Sequence, residues 1–420
     1  MGLIGDVLAR WAAHRPHLLV AAVPGATDAR LAVEAHADRA GWPLAASPAD
    51  ADLLVIAGEP GAELTAAIER VWDQFPGPRA RTRITDPAGA APALRTAVAR
   101  LTGAGGTPPD LGPGCAQENG SSADQDGRRG QEEGPGQEEG RRGPAACHRE
   151  HSGHGQETRD AWSADHGQHG GGSGRPEHAD HDGMSMPGGL MMAQRAEDRD
   201  GLKLDVLHLA LGPVLADWPA GLVVELAVQG DVVQSASARI LPPADPAAVR
   251  PYPDVKHPGL WRRRQAVAHL DSLGRLWAAV GWPAGATAAR RLRDALVDDV
   301  PLAVAYTGFR PLARWARRSR ALHLATDGLG VLSPVAAARA GVRVPAAVCG
   351  DATARWRHRL AETDRLLAGG EPDAAPEPDA AAVLAVATRL MVGLDLAAAR
   401  VVLASFDPDP DGLLTCGAGL

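Results

Sequence analysis

The chain has 420 residues, 45% of them hydrophobic, and a formal net charge of -8. That length and apolar content suit two cored domains, and the acidic balance argues against a non-specific nucleic-acid binder. No apolar run approaches the ~20 residues that span a bilayer, the first residues lack a secretory signal pattern, and Cys115, Cys147, Cys349 and Cys416 form no C-x-x-C pair, so a reduced, cytoplasmic chain is expected.

Ile4, Val7, Leu8 and Trp11 share one helical stripe. Residues 17–23 read as a strand, and the turn at 24–29 opens a helix over 30–40, with Thr27 or Asp28 as its N-cap. Leu53, Leu54, Val55 and Ile56 form the continuous apolar run of a strand buried on both faces. Gly58, Pro60 and Gly61 break that run. Leu64, Ala67, Ile68, Val71 and Trp72 then recur at helical spacing until Pro76, Gly77 and Pro78 end the helix. A further strand is expected over 81–85 and a helix over 93–101. Residues 1–102 therefore predict an α/β domain with a small parallel sheet. The turn before the second helix suits an anion at a helix N-terminus, although its glycines do not spell a phosphate loop.

From 103 to 185 the sequence is polar, Gly- and Glu-rich and of low complexity, as in GQEEGRRG and GQHGGGSGRP. Such a segment lacks the apolar surface to fold and is expected to be a disordered linker. A flexible coil of that length spans roughly 50 Å r.m.s.. It concentrates His148, His151, His154, His166 and His169. Clustered imidazoles bind Ni²⁺, Zn²⁺ or Cu²⁺, so these five are candidate metal ligands, with a solvated tail as the alternative.

Residues 186–420 predict an α+β, mainly helical domain that opens with a β-hairpin. Residues 221–233 alternate, with Gln229, Gly230 and Asp231 as the turn. Val267, Leu270, Leu273, Leu276, Trp277 and Val280 give one long apolar helix face, and Leu292, Leu296 and Val297 another. Asp271 lies inside the first face. Arg310, Arg314, Arg317, Arg318 and Arg320 make a basic stripe opposite Leu312 and Trp315, suited to anionic lipid, an acidic partner or solvent. Gly328 and Gly330 permit a tight turn, Ser333 is a cap, and Pro334 opens a helix. Helices are expected over 354–367 and 381–394, and a last strand over 401–405.

Several of these stretches resemble one pair of proteins. Residues 51–58, ADLLVIAG, and 70–79, RVWDQFPGPR, resemble the cluster-carrying small subunit shared by complex I (NADH-quinone oxidoreductase) and the [NiFe] hydrogenases, a flavodoxin-like half. Residues 209–213, LALGP, the hairpin 226–233, and the stretch 326–342, TDGLGVLSPVAAARAGV, resemble the large subunit that carries the quinone site or the nickel. The resemblance implies a fused pair with a quinone pocket between its halves. Trp218, in the loop where the family carries quinone-contacting histidines, and Asp271 are then candidate pocket residues. It also implies an oxidoreductase working beside other complex I- or hydrogenase-like subunits, reaching a membrane through them.

The family's metal ligands are missing. Residues 1–114 contain no cysteine; Ala26 and Ala29 stand in the loop where cluster thiolates belong, and Cys416 has no C-x-x-C partner. Iron–sulfur clusters are held by thiolates, usually four, so neither a cluster nor a NiFe centre is expected. Three readings remain open. The chain is a quinone-linked subunit without its own metal centre, a non-catalytic scaffold or assembly protein, or a metal-handling accessory protein using its linker histidines.

Overall fold

The computed structural model describes residues 15–101, 195–197, 203–250, 252, 258–339, 348–370 and 379–416. Contacts divide the chain into Met1–Glu118 with Ala193–Leu420, and Asn119–Met192. The second unit lies wholly outside the described residues, as do the linker histidines and the stripe at Ile4–Trp11.

The N-terminal part is a three-stranded parallel sheet in the order β1 (Leu18–Ala22), β2 (Leu53–Ala57), β3 (Ala80–Ile84). Leu18 pairs with Leu53, and Leu53 with Ala80. Every residue of β2 is buried, as its unbroken apolar run requires of a central parallel strand. Side chains alternate between faces. Leu18, Leu53 and Val55 pack under α1 (Thr27–Ala40) and α3 (Ala90–Leu101). Leu19, Leu54 and Ile56 meet Leu64, Ile68 and Trp72 of α2 (Ala62–Trp72) on the other face. Helix α1 starts without a side-chain cap: Ala26 is the N-cap residue, so Thr27 and Asp28 lie inside the first turn.

The second sheet is antiparallel, in the order β4 (Arg195–Glu197), β5 (Lys203–Leu211), β6 (Leu222–Gln229), β7 (Val232–Ile240). The expected hairpin is β6–β7, turning at Gly230 with φ 61°. Leu222, Val224, Leu226 and Val228 pack on α10 (Ala380–Met391) and α11 (Leu396–Phe406). Val223 points the other way, into the α2 face of the parallel sheet, where Val214 and Leu241 join it.

The expected strand over 401–405 is instead the second half of α11. Asp395 caps that helix by accepting from the Ala398 amide at 2.8 Å. Ala399, Val402, Leu403 and Phe406 then fall at helical spacing and are buried, so the two adjacent valines do not set the local structure.

The main helical core joins α4 (Pro258–Ala279), α5 (Pro283–Val297), α6 (Leu302–Arg318) and α9 (Ala352–Leu367) around Leu270, Leu273, Leu276, Trp277, Leu296, Phe309, Trp356 and Leu360. Leu31 of α1 belongs to this core too. Helix α1 thus has two buried faces, one on the parallel sheet and one on the bundle. One sequence expectation fails here: Val297, at the end of α5, is 40% exposed. Trp315 is 47% exposed and lies edge-on to Trp282 at 4.5 Å between ring centroids.

Between the bundle and the second sheet run α7 (Arg320–Thr326) and α8 (Pro334–Arg339). Ser333 Oγ accepts from the Ala336 amide at 3.0 Å, as a cap before Pro334 should. The turn ahead of α8 is gathered by buried Arg355, which donates to the carbonyls of Gly330 and Gly350 at 2.9 Å, to Ser405 Oγ at 2.9 Å, and lies 4.0 Å over the Phe406 ring. Helix α12 (Pro410–Cys416) closes the described chain.

Gly212 marks the tightest backbone approach. Its φ is 87°, and a Cβ there would sit 2.2 Å from the Leu222 carbonyl oxygen and 2.4 Å from Trp218 Nε1. A left-handed conformation and a backbone neighbour both exclude a side chain. Gly212→Ala is expected to lower stability by about 2–4 kcal/mol, seen as a lower urea midpoint; an unchanged midpoint would show that the loop relaxes freely.

Candidate functional site

The loop from Gly212 to Gly221, helix α1 and the facing ends of α4 and α5 converge on one place. Asp271 of α4 is its centre. Arg30 of α1 donates to both its oxygens, at 3.2 and 2.7 Å. Arg275, one turn along α4, donates at 2.5 Å, and Arg293 of α5 at 2.6 Å. Asp271 is 6% exposed and Arg293 1%. Glu34 shares two of these cations, accepting from Arg30 at 2.9 Å and Arg293 at 2.6 Å. Arg275 reaches on to Asp407, just past α11, at 2.7 Å, and Arg290 of α5 pairs with Asp217 of the loop.

A cavity of about 160 Å³ opens beside this network. Leu18, Ala22 and Ala45 form one wall, Leu215, Ala216 and Trp218 another, and Arg30, Glu34, Asp217, Asp271, Arg275 and Arg290 supply its charge. A second cavity of about 110 Å³ lies on the other side of Arg30 and Asp271, bounded by Thr27, Tyr252, Asp407 and Asp411.

Both sequence-predicted pocket residues border the first cavity. Trp218 is buried, and its indole N–H is already committed to the Leu222 carbonyl at 2.7 Å. It offers a ring face rather than a donor. Asp271 is a fully satisfied acid, not a surface one.

The carboxyl groups around the cavity divide into two kinds. Burial alone would push Asp271 up, but Arg275, Arg30 and Arg293 outweigh it and hold the group well below the ordinary carboxylate range. Glu34 behaves alike: burial opposes ionisation, yet Arg30 and Arg293 bring it to about 2. Asp217 differs. Burial raises it, Arg290 only partly offsets that, and the net shift is upward. Asp217 is thus the wall carboxyl whose proton affinity is raised rather than lowered. Its backbone, at φ 59°, is in the left-handed region.

Sequence reasoning missed Arg30, Glu34, Arg275, Arg290, Arg293 and Asp217. A signal was present in two places. Arg30–Glu34 and Asp271–Arg275 are both i,i+4 pairs on helices whose neighbouring residues, Leu31 and Leu270, face the core. Charged pairs beside an apolar face are expected where two buried surfaces meet.

Among the described residues no three His, Cys, Asp or Glu side chains gather as a metal site. Cys349 is a half-buried free thiol. The candidate metal ligands His148, His151, His154, His166 and His169 lie outside the described residues. No protein-family model matches the sequence, and the curated proteins contain no match to it.

Two outcomes follow from these charges. Asp271→Ala would leave three guanidinium groups facing one another in the interior, and a loss of about 3–5 kcal/mol is expected; a denaturant curve within 1 kcal/mol of the parent, on the order of a surface change, would contradict the network's role. The second concerns Asp411, which accepts from the Gly25 amide at 2.6 Å. Burial raises its pKa to about 6, above an unfolded value of about 3.9. Its stabilising contribution is therefore full below the unfolded value and lost as pH rises through 6. Asp411→Asn should flatten stability between roughly pH 4 and 6 and raise it at pH 7 by about 1–3 kcal/mol, checked by thermal unfolding across that range.

Proposed function

We propose that this chain is a quinone-linked subunit of the complex I/hydrogenase type that carries no iron–sulfur or NiFe centre of its own and works beside partner subunits that do. The supporting observation is the position of the 160 Å³ cavity. It lies between the part resembling the small subunit, through β1 and α1, and the part resembling the large subunit, through residues 215–218, α4 and α5. The resemblance puts a quinone site between those two halves, along the loop that follows the L-G-P motif, here Gly212 to Gly221.

The cavity's size and lining suit a single ring. An apolar cavity of roughly 150 Å³ accommodates benzene, and Trp218 and Leu215 give this one apolar faces. Asp217, whose proton affinity burial raises, and Arg290 supply an acid and a cation for a ring oxygen. Glu34 and Asp271, pinned as anions by their arginines, set the field without giving up protons. With no cysteine in residues 1–114, electrons would reach a bound quinone from a partner's centre.

A scaffold reading has its own support. Arg30, Glu34, Asp271 and Arg293 satisfy one another, and Trp218 spends its N–H on the backbone. A network whose carboxylates are fully engaged by arginines holds surfaces together without needing a ligand.

Titration of the full chain with a short-tailed ubiquinone or menaquinone analogue, followed by tryptophan fluorescence, separates the two. Saturable binding is expected. Ala216→Phe, which fills the cavity from a half-buried position, should weaken it at least tenfold at an unchanged melting temperature. Absence of saturable binding to the parent chain leaves the scaffold reading standing.

A further inference from the structure

Helix α6 carries a second feature that the cavity does not use. Leu302–Arg318 turns Ala305, Phe309, Leu312, Ala313 and Ala316 into the bundle. Its outer side has two parallel stripes. Arg310, Arg314, Arg317 and Arg318 occupy one, and all are exposed. Val304, Pro311 and Trp315, spaced seven and four apart, occupy the other, with Val304 57% and Trp315 47% exposed. Arg320 and Leu324 of α7 extend the pattern past the helix end, Leu324 being 86% exposed.

The four arginines of α6 line a groove of about 370 Å³ with Tyr306 and Asp364 of α9. Asp364 is the single acid facing them there. Among the described residues none of Arg310, Arg314, Arg317, Arg318 and Arg320 forms an ion pair, although the chain as a whole is acidic at -8. Some exposed arginines elsewhere do find acids, as Arg39 with Asp298, Arg81 with Glu69 and Arg83 with Glu59; what sets the α6 group apart is that its four guanidinium groups share one groove. An unpaired cationic groove on an acidic protein is a local charge arrangement awaiting an anion.

We infer that this face docks on an anionic lipid bilayer, phosphate headgroups entering the arginine groove while Trp315, Val304 and Leu324 rest at the headgroup boundary. The flanking apolar stripe decides between a membrane and an acidic protein. Basic residues beside an exposed Trp and aliphatics are the composition of a helix lying in a bilayer interface, where guanidinium groups pair bidentately with phosphate. Trp315 is held in place for this by its edge-on contact with Trp282. The inference stands independently of any ligand in the cavity.

The test uses the full chain and co-sedimentation with vesicles of phosphatidylcholine alone or with 30% phosphatidylglycerol. Binding is expected to the anionic vesicles at low salt, with release at 0.5 M salt as screening predicts. The double change Arg314→Glu with Arg317→Glu should lower the partition coefficient at least tenfold. Trp315→Ala should lower it several-fold while leaving the salt dependence in place. Arg95→Glu with Arg100→Glu, an equal charge change on exposed positions of α3, should retain binding. Melting temperatures establish that each variant is folded, and Arg314→Gln with Arg317→Gln replaces the reversal if that variant does not fold. Equal loss from both double reversals, equal binding to neutral vesicles, or binding to polyglutamate without binding to vesicles would overturn the inference.

Discussion

The structure depends on one buried charge arrangement, the Asp271 carboxylate held by Arg30, Arg275 and Arg293. The three cations come from two different helices besides Asp271's own, and one of them, α1, belongs to the parallel sheet. Charges taken out of water carry a large desolvation penalty unless geometry and hydrogen bonding are near ideal. Such a cluster therefore discriminates strongly between correct and incorrect docking of α1 on the bundle. Apolar contact alone, chiefly through Leu31, would tolerate sliding or rotation. The carboxylate gives the contact a register, because a small displacement would strand several charges at once.

That register makes a cavity at the junction possible. The cavity there is lined by the charged side chains of the network and by Leu215 and Ala216 of the loop. The loop cannot collapse inward. Gly212 has no room for a side chain, and the Trp218 indole is tied to the Leu222 carbonyl. The walls are rigid for reasons local to the loop, while the floor is set by the ion network. A pocket formed in this way is preorganised, so a ligand would not have to meet the cost of ordering it.

Much of the fold was legible because it follows from apolar periodicity. The buried run at Leu53–Ala57, the hairpin around Gly230 and the apolar face of α4 all carry their pattern within one element. The misplaced segment was 401–405, where two β-branched residues suggested a strand; the Asp395 cap and the spacing of Ala399, Val402 and Phe406 were the stronger signals. The outward position of Trp315 was not legible, because it depends on where Trp282 of another helix lies. The site was half legible. Asp271 stood out as an acid on an apolar face, and Trp218 stood out by its place after the L-G-P motif. Their partners did not, because Arg30 lies 241 residues from Asp271 and nothing within either segment announces the pairing. Interactions between elements carry no periodic signature.

Among the described residues, left-handed backbone outside glycine occurs at Asp217, Asp299 and Asp407. Two of these three border the cavities, and both pair with arginines of the central network. Residues other than glycine adopt this region at a cost of about 1–2 kcal/mol, less for Asp and Asn, whose short polar side chains are tolerated there. Such conformations persist where the surroundings over-determine them. Here the ion pairs do so: Arg290 fixes Asp217, and Arg275 fixes Asp407. Asp217 nevertheless differs from Asp271 and Glu34 beside it: burial raises its proton affinity and Arg290 only partly offsets this, whereas three arginines hold Asp271 anionic. Local strain and incomplete charge compensation thus coincide at one residue facing open space. Both features have one source, the burial of a loop carboxylate beside a single close cation.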